Sequence, residues 1–282
     1  MRIAVVGAVA VDKYVIVEHF PEDDDMVFAL RSFQSVGGCG ANIAINLALN
    51  GMDVDLFCGL GCDDTADRIA AILRELGIRI FSRQCGKTAR TIILLDKKGR
   101  RRIISLGGNA LFESSNELKY EGYDAICVAD SYPSEALKVI RNDCRIKVYA
   151  PGGCGLYFGE NEIRKIAALA CVTILSNREA SQINQYNLLS QYVVVTHGEK
   201  PTKLYYNGKL VREFMVKCLQ NVVDTTGAGD AFVSGILFSL TLGQDIYSAI
   251  EVGHLWASRV IQKYGANLLD YMEGFPNEIT QG

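Results

Sequence analysis

The sequence lacks several features that would assign it to common classes of protein. Its 282 residues carry a formal net charge of -3, so no general basic excess is available to neutralise a nucleic-acid backbone. No apolar run reaches about 18 residues, the length expected of a membrane-spanning helix. The first twelve residues also lack the charged and cleavable segments of an export signal. We therefore expect a cytoplasmic protein that binds small molecules and neither nucleic acid nor membrane.

Metal-binding cysteine pairs and two common nucleotide-binding motifs are also missing. The nine cysteines include no C-x2-C pair, so we interpret them as reduced and mostly buried thiols. The chain has no G-x4-G-K-[ST] loop, which disfavours a P-loop kinase. Its first strand-like segment has no G-x-G-x-x-G, which disfavours dinucleotide binding and therefore an oxidoreductase.

Short apolar strands alternate with helix-length segments along most of the chain. The strand-like IAVVGAVAV is followed by ANIAINLAL, by VDLFCGL and by a helical stretch from Asp63 to Leu76. Further apolar strands are predicted at residues 125–129, 147–150, 172–175 and 192–196. A hydrophobic content of 49% is sufficient for a substantial core. This pattern predicts a parallel sheet that is covered by helices on both faces.

Two segments, residues 13–33 and 87–105, break this alternation. Each has strand-like alternation around a turn signal, Pro21 in the first and Lys98-Gly99 in the second. We predict two antiparallel hairpins that form a small side sheet and cover a cleft as a lid. The remaining ranges, 1–12, 34–86 and 106–282, would form the nucleotide- and substrate-binding α/β domain.

The most informative segment is VVDTTGAGDAFVSGILFSL, residues 222–240. Gly227 and Gly229 let the backbone approach an anion closely, and the start of the following apolar helix favours phosphate. Asp230 is predicted in the first turn of that helix. A carboxylate beside an anion hole suits phosphoryl transfer, in which it accepts the proton of the attacking hydroxyl. The alternative is that Asp230 only complements the helix dipole.

Two further signals suggest where hydroxyl groups would bind. In SVGGCGANIAINLALNG, residues 35–51, Gly37 and Gly38 precede a helix that is apolar nearly all round, with the polar Asn42 at its start. Asn42 alternatively caps the helix locally. Asp12 is predicted to end the first strand, at the edge where parallel sheets present ligand sites. A strand-end aspartate can also be a turn residue.

The string DTTGAGD resembles the C-terminal signature of the ribokinase-like (PfkB) kinases, D-T-x-G-A-G-D. The matching positions are Asp224, Thr225, Gly227, Ala228, Gly229 and Asp230. Gly37, Gly38 and Asn42 match the family segment G-G-x-x-x-N, and Gly7 with Asp12 reproduces its G-x-x-x-x-D spacing. The resemblance runs through nearly the whole chain. It implies a three-layer α/β/α ribokinase-like domain with a predominantly parallel sheet, plus a small β-sheet lid.

The resemblance also implies roles for individual residues. Asp230 would be the catalytic base, beside an anion hole formed by Gly227, Ala228 and Gly229. The substrate-binding residues would be Asp12, Gly37, Gly38, Asn42 and Asn109. The residues that contact ATP would be Asn177, Thr196, Gly198, Gly229, Gly265 and Ala266. Asp224 and Thr226 match positions that, in some members of the family, bind a monovalent cation such as K+.

The magnesium and nucleotide segments depart from the family pattern. The family spacing N-x-x-E becomes SNREAS here, with Glu179 two residues after Asn177 and Ala180 at the third position. Either Glu179 holds Mg2+ through water from a shifted turn, or the ion is held differently. The pattern T-x-G-x-x-G also loses its last glycine, since Pro201 stands there.

The implied activity is transfer of the ATP γ-phosphoryl group to a primary hydroxyl of a ribose-containing substrate. A nucleoside, phosphorylated on its 5′-hydroxyl, is favoured because Tyr14, Phe28 and Phe33 could stack on a base. These aromatics could equally form the lid's own core or its dimer contact. A sugar acid would instead call for a fixed cation, such as Arg90 or one of the arginines at 100–102. A free sugar could also be the acceptor, and a chain that has lost turnover would be a non-catalytic sensor.

We also expect a homodimer. The two predicted hairpins would leave strand edges unpaired, and their partly apolar residues invite pairing with a second copy through the lids. The residues behind this expectation are Val15, Val17, Ile92 and Leu94.

Overall fold

A computed structural model of the protein describes residues 1–114, 120–183, 186, 189–217, 219, 221–269 and 279–280. In chain order its strands are β1 (Arg2–Val6), β2 (Ala10–Val17), β3 (Ala29–Gly37), β4 (Asp53–Leu60), β5 (Arg79–Gln84), β6 (Arg90–Asp96), β7 (Arg101–Ser105), β8 (Ala125–Ala129), β9 (Ile146–Ala150), β10 (Val172–Ser176), β11 (Tyr192–His197), β12 (Lys200–Tyr206), β13 (Lys209–Phe214) and β14 (Ile279–Thr280).

Six of the eight described helices start at a glycine or at a residue whose side chain caps the helix, and the other two follow Tyr132 and Pro151. They are α1 (Cys39–Ala48), α2 (Asp64–Glu75), α3 (Pro133–Ile140), α4 (Gly152–Phe158), α5 (Glu160–Ala167), α6 (Asn177–Ala180), α7 (Ala228–Thr241) and α8 (Ile246–Val260). The Asp63 side chain accepts a hydrogen bond from the backbone of Ala66 at the start of α2. In the described part of the chain, no helix is both long and apolar enough to cross a bilayer.

The main sheet has nine strands in the order β13-β12-β11-β10-β9-β8-β1-β4-β5. The seven strands from β11 to β5 in this order run parallel to their neighbours, and β12 and β13 are added antiparallel. Alternate residues of β1 enter two separate cores, with Ile3 and Val5 in one and Ala4 and Val6 in the other. Helices therefore cover both faces, which confirms the predicted three-layer α/β architecture.

The first apolar run is two strands, and this corrects the prediction for Asp12. The chain leaves β1 after Val6, and Gly7 donates a backbone hydrogen bond to the carbonyl of Phe57. A Cβ on Gly7 would lie 2.9 Å from the Cα of Gly40, so glycine is needed for this close approach. The chain then enters β2, and Asp12 is the third residue of that strand. Asp12 therefore belongs to the second sheet and does not end the first strand.

The second sheet has the strand order β14-β3-β2-β6-β7. The two predicted hairpins are present, because β2 pairs antiparallel with β3 and β6 pairs antiparallel with β7. A parallel pairing of β2 with β6 joins them into one sheet. The predicted lid boundaries at residues 13 and 33 fall within β2 and β3. The division of the chain into an α/β domain and a lid stays a prediction.

Candidate functional site

The loop before α7 is built around the carboxylate of Asp224. Its Oδ1 accepts hydrogen bonds from the Thr226 backbone N–H at 2.9 Å and from Thr226 Oγ1 at 2.6 Å. Its Oδ2 accepts one from the backbone N–H of Gly265 at 3.3 Å. Asp224 is fully buried, so these bonds compensate its charge and tie the loop to the segment after α8.

Gly227 fixes the conformation of this loop at the start of α7. Its φ of 74° lies in the left-handed region, where a side chain is disfavoured. A Cβ there would lie 1.7 Å from the carbonyl oxygen of Ala266. Gly229, by contrast, is exposed and has open space around its Cα. The backbone around Gly229 is therefore accessible at the start of α7, and the anion hole that the sequence predicts there stays a prediction.

Asp230 lies in the first turn of α7, and a chain of amides holds it. Asn42 Nδ2 donates to Asp230 Oδ2 at 2.7 Å, and Asn267 Nδ2 donates to Asn42 Oδ1 at 3.0 Å. Asn42 makes no capping bond at the start of α1, where Gly38 is the N-cap residue. The local-capping alternative for Asn42 is therefore wrong, because its side chain reaches across to α7.

The electrostatic environment of Asp230 suits a general base. Burial raises the pKa of its carboxyl to about 6, and the charge of Asp130 adds to the increase. Hydrogen bonds from Asn42 and Cys39 and the charge of Arg101 oppose it. A carboxyl with this pKa is mainly ionised at neutral pH yet is basic enough to accept a proton in the transition state.

The carboxyl of Asp12 projects from the second sheet towards the same site. A Cβ on Gly37 would lie 1.9 Å from Asp12 Oδ2, so only glycine leaves room for this carboxyl. Burial raises the pKa of Asp12 to about 7, a hydrogen bond from Thr91 opposes the increase, and the charges of Asp230 and Asp224 add to it. Asp12 therefore lies near enough to the two aspartates of the α7 loop for their charges to affect its pKa.

Two residues that the sequence analysis did not single out complete this part of the site. Asp130 follows β8 at the carboxyl edge of the main sheet, with a positive φ of 24° that is rare outside glycine. Cys39 Sγ donates to Asp130 Oδ2 at 2.9 Å and also contacts Asp230. A strand-end aspartate is a weak signal in one sequence, and a lone cysteine carries none.

The predicted nucleotide residues lie at the carboxyl ends of β10 and β11 and after α8. Asn177 is exposed at the start of α6, and Gly198 is in the turn between β11 and β12, with a φ of 64°. Thr196 is half-buried in β11, and its Oγ1 donates to the Leu175 carbonyl at 3.4 Å. Pro201, which stands where the family pattern has its last glycine, belongs to β12 of this tight hairpin.

Glu179 forms a capping box with Ser176 at the start of α6. Its Oε2 accepts a bond from the Ser176 backbone N–H at 2.5 Å, and Ser176 Oγ accepts one from the Glu179 backbone. Burial raises the pKa of Glu179, the bonds from Ser176 oppose the increase, and the charge of Asp130 adds to it. Glu179 is thus a buried carboxylate close to Asp130 and the site.

The side-chain amide of Asn109 hydrogen-bonds to the backbone of two separate segments. Its Nδ2 donates to the carbonyl of Leu60 at 2.5 Å and to that of Arg83 at 2.9 Å. Its backbone pairs with Thr88 in an isolated bridge. These bonds explain why asparagine stands there, and a substrate contact of Asn109 stays a prediction.

The aromatic residues of the second sheet are arranged as a core. Tyr14 and Phe33 are buried and stack on each other, with ring centroids 4.6 Å apart and an interplanar angle of 5°. Tyr264, just before the Gly265 loop, packs against Phe33 edge-on. Neither Tyr14 nor Phe33 is accessible to a base, so for these two residues the lid-core alternative is correct. Phe28 alone of the three is exposed.

The sequence matches the pfkB family of carbohydrate kinases over residues 1–150 and 156–271. It is 26% identical to the ATP-dependent ribose-1-phosphate kinase of Halopiger xanaduensis, over 94% of each chain. It is 24% identical to the ribokinase of Staphylococcus aureus, over 94% of this chain and 95% of the relative.

The fold is similar to that of the nucleoside kinase of Methanocaldococcus jannaschii, a solved structure. The TM-score is 0.78 at 22% identity, covering 98% of this chain and 94% of the other. At this identity the likeness supports the fold alone, which agrees with the three-layer architecture described above.

Proposed function

Because the chain belongs to the pfkB family of carbohydrate kinases and is a PfkB-type kinase, we propose that it transfers the γ-phosphoryl group of ATP to the primary hydroxyl of a ribose-containing substrate. The observation that carries this proposal is the Asp230 carboxylate beside the glycine loop of residues 227–229. This pair supplies a proton acceptor and a set of amide donors next to each other.

In the proposed reaction the acceptor oxygen attacks the γ-phosphorus while its proton passes to Asp230. A bond forms between that oxygen and the γ-phosphorus, the bond from the γ-phosphorus to the bridging oxygen breaks, and ADP leaves. The N–H groups at the start of α7 stabilise the negative charge on the transferred group. Asn42 holds Asp230 in place by its 2.7 Å hydrogen bond.

The acceptor hydroxyls would bind between the two sheets. Asp12 is a buried carboxyl with a pKa of about 7, so it can accept or donate a hydrogen bond to a hydroxyl near neutral pH. The missing side chain of Gly37 leaves space for this carboxyl, and Asn42 lies on the neighbouring helix α1, where it contacts Asp230. This arrangement suits a small polyhydroxylated molecule.

The names of several relatives support an acceptor that contains ribose. Ribose 1-phosphate, nucleosides and ribose share this unit and its primary hydroxyl. Tyr14 and Phe33 give no support to the nucleoside hypothesis, since they are packed against each other. It is supported by the nucleoside kinase and cytidine kinase names among the relatives and by the exposed Phe28.

The described residues contain no cluster of three or more ligands that could hold a metal ion by themselves. This is compatible with Mg2+, which is usually held by one or two carboxylates together with water and nucleotide phosphates. The buried carboxylates of Glu179 and Asp130 lie close enough to interact and fit this chemistry. Mg2+ would neutralise charge on the phosphates. A raised Mg2+ requirement of Glu179→Gln would support the assignment of Glu179.

A monovalent cation such as K+ at Asp224 and Thr226 is a further proposal. Asp224 already accepts three hydrogen bonds from this loop and from Gly265, so its first role is to shape the loop. Comparing turnover in potassium chloride with turnover in choline chloride would test the cation. We also propose that two copies associate through the second sheets.

The direct test is a screen of ATP turnover against ribose, ribose 1-phosphate, a ketose, a sugar acid and several nucleosides. We expect ADP formation with at least one ribose-containing acceptor. Asp230→Asn should lose about 10²–10⁴-fold in kcat while ATP binding persists, because the nearly isosteric amide cannot accept the proton. Wild-type kcat in this variant would refute Asp230 as the base. Ligand binding without turnover would favour the sensor alternative.

A further inference from the structure

Four arginines of the second sheet could bind an anionic part of the substrate, and their contacts in the structure differ. The candidates are Arg90, Arg100, Arg101 and Arg102. Arg90 lies at the start of β6, and its Nη2 donates to Thr65 Oγ1 at 3.1 Å. This bond directs its guanidinium towards α2, so Arg90 is not placed to bind a substrate at the site.

Two of the remaining arginines have partners of their own within the second sheet. Arg100 pairs with Asp96 at 2.6 Å, and the same carboxylate accepts further bonds from the hairpin backbone. Arg102 lies over the ring of Phe20, 4.6 Å from its centroid. These contacts account for both side chains without a ligand.

Arg101 alone of the four lies on the face of the second sheet that turns towards the site. Strand β7 pairs with β6 so that Arg101 is opposite Leu95, and β6 pairs with β2 so that Leu95 is opposite Ile16. Because side chains alternate along a strand, Arg101 shares its face with Asp12 and Tyr14. Arg102 points to the opposite face.

The charge of Arg101 reaches the site, although its side chain is exposed. It opposes the burial-driven rise in the pKa values of both Asp230 and Tyr14. Among the residues that the structure describes, Arg101 forms no ion pair, so its guanidinium is not needed to neutralise a particular carboxylate. The hairpin that carries it also lies near the α7 loop, because Gly99 approaches the carbonyls of Val222 and Val223.

We propose that Arg101 binds an anionic group of the acceptor, so that the preferred substrate is a ribose that already carries a phosphate or carboxylate. This inference rests on the proposed function, since it concerns the acceptor of that reaction. Asp12 and Asp230 place two carboxyl groups at the site, which would repel an anion unless a cation faced them. A guanidinium offers two parallel N–H donors to phosphate or carboxylate oxygens, whereas a neutral sugar needs no fixed cation.

The experiment compares kcat/KM of the wild type and Arg101→Gln on four acceptors: ribose 1-phosphate, ribonate, ribose and a neutral nucleoside. We expect an anionic acceptor to be the best substrate of the wild type. Arg101→Gln should lower kcat/KM for that acceptor about 10- to 100-fold, the effect of losing a hydrogen bond to a charged group, with ribose and the nucleoside unchanged. Ribose 1-phosphate and ribonate distinguish phosphate from carboxylate.

Arg102→Gln is the matched control, because it removes the same side chain from the same strand on the opposite face. It should leave all four values unchanged. The inference is overturned if the wild type prefers neutral acceptors, or if Arg101→Gln lowers kcat equally for every acceptor. The second result would place the guanidinium on the transferred phosphoryl group.

Calorimetry separates failure of this inference from failure of the proposed function. In the Asp230→Asn background, binding of ribose 1-phosphate and ribonate is measured with Arg101 present and with Arg101→Gln. Weaker binding in the double variant supports the inference even if no acceptor is phosphorylated. Equal binding overturns it even if turnover occurs.

Discussion

The two walls of the site differ in how completely their polar groups are satisfied. In the wall formed by residues 224–230, Asp224 accepts three hydrogen bonds and Asp230 is held by Asn42. The wall formed by the second sheet has an aromatic core around Tyr14, a buried Asp12 and an exposed Arg101. The first wall is therefore held in one conformation by its own hydrogen bonds, as the proposed phosphate site requires. The second presents side chains that could distinguish one acceptor from another.

The largest effect is expected from breaking the preformed wall with Gly227→Ala. A side chain there must adopt the left-handed conformation, at about 1–2 kcal/mol, and must also displace the Ala266 carbonyl. Overpacking of this kind costs a further 1–3 kcal/mol or so. We expect a lower melting temperature and a loss of kcat of at least about 100-fold, measured by calorimetry and ATP turnover.

Gly229→Ala is the control for this substitution. Its Cβ would enter open space within α7, so stability should be unchanged or rise by about 0.5–1 kcal/mol. Any loss of activity in this variant then reports on anion approach alone. If Gly227→Ala melts at the same temperature as the wild type, the loop before α7 is less rigid than its hydrogen bonds indicate.

A smaller, graded effect is expected from pH, which acts on both walls through Asp230 and Asp12. Since the pKa of Asp230 is about 6, kcat/KM should fall about tenfold per unit below pH 6, as the base becomes protonated. Asp12, with a pKa of about 7, titrates in an adjacent range. The profile of Asp12→Asn therefore isolates Asp230. A flat profile between pH 5 and 7 would contradict the assignment of the base.

The raised pKa of Asp230 also predicts that stability changes with pH in the direction opposite to that of activity. Because the folded pKa of Asp230 is raised above its usual value of 3.8, its contribution to stability is greatest below pH 3.8 and is lost as the pH rises through about 6. Asp230→Asn should therefore melt at a higher temperature than the wild type at pH 7.5, and the difference should shrink towards pH 4.

The same contrast explains which parts of the molecule could be predicted from the sequence. The α7 loop is local in sequence, so its motif predicted where the helix starts and that Asp230 lies in its first turn. The parallel strands were predicted because burial on both faces leaves continuous apolar runs. The break at Gly7 was missed because apolar residues continue on both sides of it, and this error placed Asp12 in the wrong strand.

The side chains of the second sheet could not be predicted, because their directions depend on register between strands distant in sequence. Tyr14 and Phe33 meet only when β2 pairs with β3, and Arg101 faces the site only through the pairing of β7 with β6. Asn267 and Asp130 were missed for a similar reason. Each is an ordinary loop residue until the fold brings it to Asn42 or Cys39.

The smallest effect on activity is expected from separating two copies of the protein. The predicted lid dimer was motivated by unpaired strand edges, but Val15, Ile92 and Leu94 lie on the central strands β2 and β6, and Val17 is buried. Val15, Ile92 and Leu94 lie on the face that turns away from the site, because they alternate with Tyr14 and Ile93 of the inner core.

The exposed Ile104 lies on this outer face too, opposite Ile92. A sheet face with several accessible apolar side chains favours association with a second copy. We expect light scattering to show a dimer of the wild type and a monomer of Ile104→Lys at micromolar concentration. Val211→Lys, an exposed apolar position on β13, is the control and should stay dimeric.

Since Ile104→Lys lies outside the site, its kcat should change less than about twofold, in line with the small effects of most surface substitutions. A monomeric wild type would remove the dimer. A large loss of kcat in Ile104→Lys would instead show that the outer face influences the position of Asp12, and that the two walls depend on each other more than their hydrogen bonds indicate.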